Sequence, residues 1–458
     1  MPDLESSRAA APVTPGIIAG QEPGATDSPR NDLPTWRKYV ILFIISWMTL
    51  AVTFSSTSLL VATPEIAEDF STTVELLNVT NAGLLVAMGF SSFIWCPLGD
   101  MFGRRLIYNT AIFVLVVCSI GSGVAPTMAV FTALRLLGGF TGTYFMVAGQ
   151  TILADIFEPK VRGRAVGFFM AGSVAAHRTG PCIAGIIVTF SGWRVIYWVQ
   201  TAMTGLGLAL SLLLIPEIHH VPEQVHGEKD EVLPVKREFL EAFNPIRIFK
   251  PLLVPRIFLA HATCGFLAAT QYGLLSSVRH IVNPRFNLTT PLVSGLFYIS
   301  PGIGFLVGSI VGGRLSDRAV KHYIEKRNGI RLPKDRLNGG LVGLFIVLPI
   351  SMLLFGWSLQ QKLGGLALPI VAAFWIGIGL MGTFNGLNTY AAEVSPSQRS
   401  EVICGKYVIQ YVTAAASSAA IVPMVDAIGV GWAFTILFAL DLLGGAFVLL
   451  ITRASFLA

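Results

Sequence analysis

The chain has 458 residues, 53% of them hydrophobic and only 13% charged, with a formal net charge of +6 and a mean hydropathy of +0.68. Soluble domains carry about 25% charged residues, so a soluble globular fold is excluded, and the basic excess reads as membrane-flanking loops rather than a nucleic-acid surface. The five cysteines (Cys96, Cys118, Cys182, Cys264 and Cys404) fit neither a metal-ligand spacing nor a disulfide framework and read as buried thiols.

Residues 1–35 are rich in Pro, Ser, Ala and acidic groups and read as a disordered tail; the first apolar run is too long and too late for a signal peptide. Twelve apolar runs follow, at roughly 40–62, 80–98, 106–124, 129–152, 165–190, 194–215, 253–276, 292–313, 338–358, 366–390, 402–425 and 431–451. Each is long enough to cross a ~30 Å hydrocarbon core as a helix. A polar linker, 216–252, divides them six and six. The expected fold is therefore all-α and integral to the membrane, with twelve transmembrane helices in two six-helix bundles, 36–215 and 253–458.

Placing the N-terminus inside puts 26 of the 32 basic residues on inner segments and four on outer loops, with Arg135 and Arg178 within spans. By the positive-inside rule both termini are then cytoplasmic, in a multi-pass protein of the cell membrane. Two glycosylation sequons, at Asn78 and Asn287, fall on the expected outside. The basic loop 314–336, with eight Lys and Arg, is expected to meet anionic lipid.

The halves echo one another. PLGDMFGRR (97–105) corresponds to GGRLSDR (312–318), and EPKVRGR (158–164) to SPSQRSE (395–401), as in transporters built from internal repeats. On these motifs the chain resembles the major facilitator superfamily from residue 36 to 453. The family's signature between spans 2 and 3 is similar to CPLGDMFGRR, keeping Asp100, Gly103, Arg104 and Arg105 but replacing the first Gly by Cys96 and the first basic residue by Met101. Its second-half copy keeps Gly313, Asp317 and Arg318. The span 4 signature resembles RLLGGFTG, with Arg135 kept. The span 5 antiporter signature appears in shortened form as Gly172, Gly180-Pro181 and Ala184-Gly185, with Ala176-His177-Arg178 standing where a further small, Gly/Pro-rich stretch is expected. WRKYVILFIISWMTL, FSSTSLLVATPEIA, GQTILADIFEP and LVSGLFYISPG are similar to fungal drug:proton antiporter-like carriers, among them itaconate exporters. This resemblance implies a monomeric carrier, not an enzyme, that exports a small organic anion such as a dicarboxylate by alternating access without cofactor or metal. Multidrug or secondary-metabolite efflux by proton antiport is the alternative.

Gly172, Ala176, Gly180 and Ala184 recur every four residues and form one small-residue helix face, suited to close helix packing. Pro181 adds a bend that suits gating. Arg178 lies off that face, and a lipid-facing arginine at depth costs at least ~2.5 kcal/mol. It is expected to face the interior and to pair with Arg135 as a cationic site, because guanidinium binds carboxylate bidentately. The alternatives are snorkelling of Arg178 and carbonyl bonding by Arg135. His177 is a proton-carrier candidate, or a neutral imidazole bonded to a carbonyl.

The resemblance places spans 1, 4, 7 and 10 around the pathway. Gln271 with Tyr272, and Asn385 with Asn388 one turn apart, are the substrate-contact candidates there. Asp441, near the middle of span 12, is a second proton-coupling candidate, or a structural pairing. Asp100, Gly103, Arg104, Arg105, Asp317 and Arg318 are expected to gate the inner mouth, with Glu158, Arg162 and Arg399 joining them. GIGLMG (377–382) lacks the preceding strand of a nucleotide site and reads as helix packing.

Overall fold

The computed structural model describes residues 33–157, 159–215, 245–286, 291–395 and 398–453. Among these every regular element is helical. Ten helical stretches are long and apolar enough to cross a membrane; an eleventh is a pair, Ile246–Leu253 and Pro255–Ser277, bent by 103°. The 32-residue helix Pro159–Phe190 completes twelve, its apolar run interrupted by His177-Arg178-Thr179. The chain is a multi-pass membrane protein.

The first six spans are Thr35–Thr57 continued by Leu59–Asp69, Val74–Phe102, Arg104–Gly123, Met128–Gly139 continued by Gly142–Ile156, Pro159–Phe190 and Arg194–Leu214. The second six are Pro255–Ser277, Pro291–Phe297 continued by Ile299–Lys326, a segment from Pro333 to Gln361, Ala367–Glu393, Arg399–Ile428 and Val430–Arg453. Spans 1, 2 and 8 run well beyond their apolar cores. The expected tail (1–35) is described only from residue 33, with the first helix starting at Thr35, and the linker only from residue 245.

Glycines set how closely these helices approach. A Cβ at Gly172 would lie 2.5 Å from the Ser46 carbonyl oxygen, and one at Gly180 would lie 2.6 Å from Thr57 Oγ1. The small-residue face of span 5 therefore seats on span 1. GIGLMG does the same in the second half: Gly377 and Gly382 meet the backbone of span 8 at Gly304 and Gly312. Gly103 joins spans 2 and 3 with φ +94°, a conformation that side-chain-bearing residues rarely adopt.

The halves meet on both sides of the midplane. Toward the side bearing Arg104 and Arg399 (the basic side), Gly89 of span 2 packs on Tyr411 and Val408 of span 11. Cys96 and Cys404 approach to 3.9 Å between sulfurs. Phe249, on the short helix that precedes the 103° bend, packs on Phe93 of span 2 at 5.6 Å between ring centroids. Toward the opposite side, Gly185 of span 5 packs on Gly295 of span 8.

Candidate functional site

Polar and aromatic side chains from both halves converge along this interface. His177 Nδ1 lies 2.8 Å from the Ser173 carbonyl oxygen. A carbonyl only accepts, so Nδ1 carries the proton, and a neutral ring then presents Nε2 as an acceptor. The ring lies edge-on to Tyr272 (6.4 Å) and Phe305 (6.0 Å), both from the second half. The Tyr272 hydroxyl meets Ser56 of span 1 and Tyr411 of span 11. Tyr411 continues to Tyr407 at 6.3 Å, and Gln150 Nε2 of span 4 donates to Tyr407 Oη at 3.1 Å. The belt thus runs from spans 1, 4 and 5 across to spans 7, 8 and 11.

At its basic-side end sits Lys406, only 2% exposed and seven residues inside the helix Arg399–Ile428, about 10 Å along its axis. Its ammonium donates to Asn388 Oδ1 of span 10 at 2.7 Å and lies 3.7 Å from the Tyr407 ring centroid. Among the described residues no carboxylate bonds it. His261 of span 7, 1% exposed, faces the same charge, and neither ring nitrogen has a hydrogen-bond partner among the described residues. A buried cation with no counter-ion among the described residues, beside an imidazole and an amide, is chemically suited to take up an anion. The charge count had grouped Lys406 with the inner segments, and its burial corrects that placement. No sequence motif marks His261.

The residues expected from the sequence are distributed differently. Tyr272 and Gln271 are both buried, and Tyr272 belongs to the belt. Asn388 serves Lys406. Asn385 instead ties span 10 to span 8, donating to the Ser309 carbonyl at 2.7 Å. Arg135 is buried among first-half residues: it donates to Asn81 Oδ1 at 2.7 Å, lies over Phe131, and faces Tyr197. Its partner is thus a side-chain amide rather than a backbone carbonyl. The Arg178 side chain lies outside the described ones, so its pairing with Arg135 is not part of the geometry. Asp441 accepts from Thr270 Oγ1 at 2.8 Å, while Oδ1 has no partner among the described residues; it joins spans 12 and 7 within the second half.

At the basic mouth, Arg336 binds Asp317 (3.1 Å) and Glu393 (3.3 Å), and Arg331 binds the same glutamate. Arg327 pairs with Asp335. Three of the eight basic residues of 314–336 are therefore engaged within the protein. Arg318 is exposed. Arg105 donates to the Leu212 carbonyl at 2.9 Å, tying span 3 to span 6, and Arg399 donates to the Ala392 carbonyl at 2.9 Å. Arg104 starts span 3, half-buried, directly after Gly103. The Asp100 and Arg162 side chains, and Glu158, lie outside the described set. Pro181 lies within the span 5 helix, and its carbonyl oxygen faces Gly295. Cys96 and Cys182 are half-buried rather than fully buried. Asn78 lies in the second turn of span 2, with Thr80 Oγ1 donating to Leu76 O; Asn287 falls outside the described residues.

Three comparisons bear on this geometry. The sequence profile described as Major Facilitator Superfamily matches residues 45–414. The chain is 25% identical to the MFS transporter cpaT of Aspergillus oryzae, over 88% of this chain and 83% of that one. It is 21% identical to the MFS antiporter QDR3 of Candida albicans (89% and 76% covered), and 22% identical to the efflux pump radE of Floropilus chiversii (92% and 81%). In fold it is similar to a D-xylose-proton symporter, with TM-score 0.67 and 15% identity over 90% of this chain and 97% of that one.

Proposed function

This chain belongs to the major facilitator superfamily, and from that premise we propose that it exports a small organic anion of the dicarboxylate class by alternating access, itaconate being the substrate to test first. It is a transporter and not an enzyme, as its relatives are. The observation that supports the anionic reading is Lys406: a buried ammonium whose described partners are an amide oxygen and an aromatic face, with no carboxylate among them, is suited to receive a carboxylate. His261, facing the same charge, adds a second polar group for the anion. Export is supported by the relatives named as an efflux pump and an antiporter.

The proposed cell-membrane orientation puts the basic side in the cytoplasm, so the substrate enters at the Lys406 end. Arg135 and Arg178 remain proposed substrate contacts deeper along the path. His177 and Asp441 remain proposed carriers of a coupled proton, and the carrier is proposed to work as a monomer. Anion export down the membrane potential needs no proton, and both couplings share this site. Multidrug or secondary-metabolite efflux is the second reading, favoured by the belt Tyr272, Tyr411, Tyr407 and Phe305, whose faces suit a flat apolar molecule.

The test is efflux of labelled itaconate from preloaded cells, comparing wild type with Lys406→Ala, Arg135→Ala and Arg178→Ala at matched surface levels. Efflux by wild type that is lost in Lys406→Ala supports the proposal. Wild-type efflux at the empty-vector rate removes itaconate, and an apolar substrate carried equally well by Lys406→Ala moves the reading to drug efflux.

A further inference from the structure

Cys96 and Cys404 lie 308 positions apart in sequence, one in each half, with their sulfurs 3.9 Å apart. Both sit near the basic-side ends of their helices: Cys96 is six residues before the end of Val74–Phe102, and Cys404 is five after the start of Arg399–Ile428. The helices carrying them are already in close register, since a Cβ on Gly89 would be 3.2 Å from Tyr411 Cβ and 3.6 Å from the Val408 carbonyl. Bonded sulfurs lie about 2.0 Å apart. Closing the remaining gap of about 2 Å is within the reach of side-chain rotation with a small helix shift. Cys96 is half-buried and Cys404 is 1% exposed, so an oxidant reaches Cys96 first.

We propose that Cys96 and Cys404 form an oxidation-dependent lock that fastens the two halves together on the basic side. The oxidant is a small-molecule disulfide of the glutathione class. The Cys96 thiolate attacks one of its sulfurs, a mixed disulfide forms, and one small thiol leaves. Cys404 then attacks the Cys96 sulfur and the second small thiol leaves. Two electrons pass from the cysteine pair to the oxidant, and the two cysteine protons end on the released thiols. The product restrains the two Cα atoms to about 4.4–6.8 Å. Opening the basic side requires spans 2 and 11 to separate, so the linked chain stays closed there. Thiol reductants reverse the lock.

The full-length protein, purified in detergent, is treated with oxidised glutathione, digested without reduction and mapped by mass spectrometry. A Cys96–Cys404 linked peptide is expected, absent after dithiothreitol and absent from Cys96→Ser and Cys404→Ser. Hydrogen–deuterium exchange gives the conformational readout and needs no substrate. Peptides containing Gln150 and Tyr407 are expected to exchange several-fold more slowly in the oxidised wild type than in the reduced protein, with no such change in Cys96→Ser. Absence of the linked peptide overturns the proposal, and so does a linked protein whose exchange matches the reduced form. Neither result depends on which substrate the carrier takes.

Discussion

Replacing Lys406 by methionine removes the charge while keeping a long, flexible side chain of similar length. A hydrogen bond between a charged donor and a carboxylate contributes about 1.5–3 kcal/mol net. At 1.36 kcal/mol per tenfold, that is roughly a 10- to 150-fold loss of apparent affinity for an anionic substrate. Coulomb attraction at 4 Å with an effective dielectric of 20 is about 4 kcal/mol, and part of it offsets desolvation of the incoming carboxylate, so the two figures agree. Stability is expected to move the other way or not at all. The variant no longer buries a cation, and Asn388, which loses its donor, is half-buried and can reach water. The assay is concentration-dependent uptake of labelled itaconate into proteoliposomes, alongside thermal unfolding in detergent. An apparent affinity within twofold of wild type refutes the reasoning. So does a collapse in thermal stability, because Lys406 would then be holding the bundle together rather than waiting for a ligand.

Asn388→Asp supplies Lys406 with a permanent carboxylate at the position of the present 2.7 Å bond; anion transport is expected to fall as far as in Lys406→Met, and retained transport in the same uptake assay contradicts this. Gly312→Ala is expected to destabilise the bundle by about 1–3 kcal/mol through overpacking against Gly382, whereas Gly313→Ala, with nothing within 4 Å of its Cβ, is expected to unfold at the wild-type temperature. Equal unfolding temperatures for the two would discount the helix contact. Asp441→Asn keeps an acceptor for Thr270; if the residue only ties spans 7 and 12, the pH profile of transport stays as in wild type, and a flattened profile assigns it to proton coupling instead.

The spans were legible because twenty consecutive apolar residues have only one use in a chain this poor in charge. That spans 5 and 10 pack closely on a neighbour was legible for a related reason, although which neighbours (spans 1 and 8) was not. A small residue repeated every three or four positions falls on one helix face, and the sequence alone says that face is narrow. Lys406 was not legible. It lies among residues that read equally well as a basic loop flank or a helix interior, and only its packing against Asn388 and Tyr407 decides between them. The belt through Gln150, Tyr272, Tyr407 and Tyr411 joins residues as far as 257 positions apart, and no local periodicity records such a contact. Arg135 was visible as a buried cation, but its tie to Asn81 depends on how span 2 is rotated, which the apolar pattern leaves open.

The 103° turn before span 7 places Phe249 against Phe93, so a residue adjoining the second half rests on the first. An aromatic pair of this kind contributes about 0.5–1.5 kcal/mol beyond its buried area. That is a catch of about one decade in equilibrium, strong enough to bias the resting carrier toward its closed basic mouth and weak enough to release on every cycle. Because Phe249 sits on the short helix before the bend rather than on a transport helix, a substitution there shifts this bias without touching the belt.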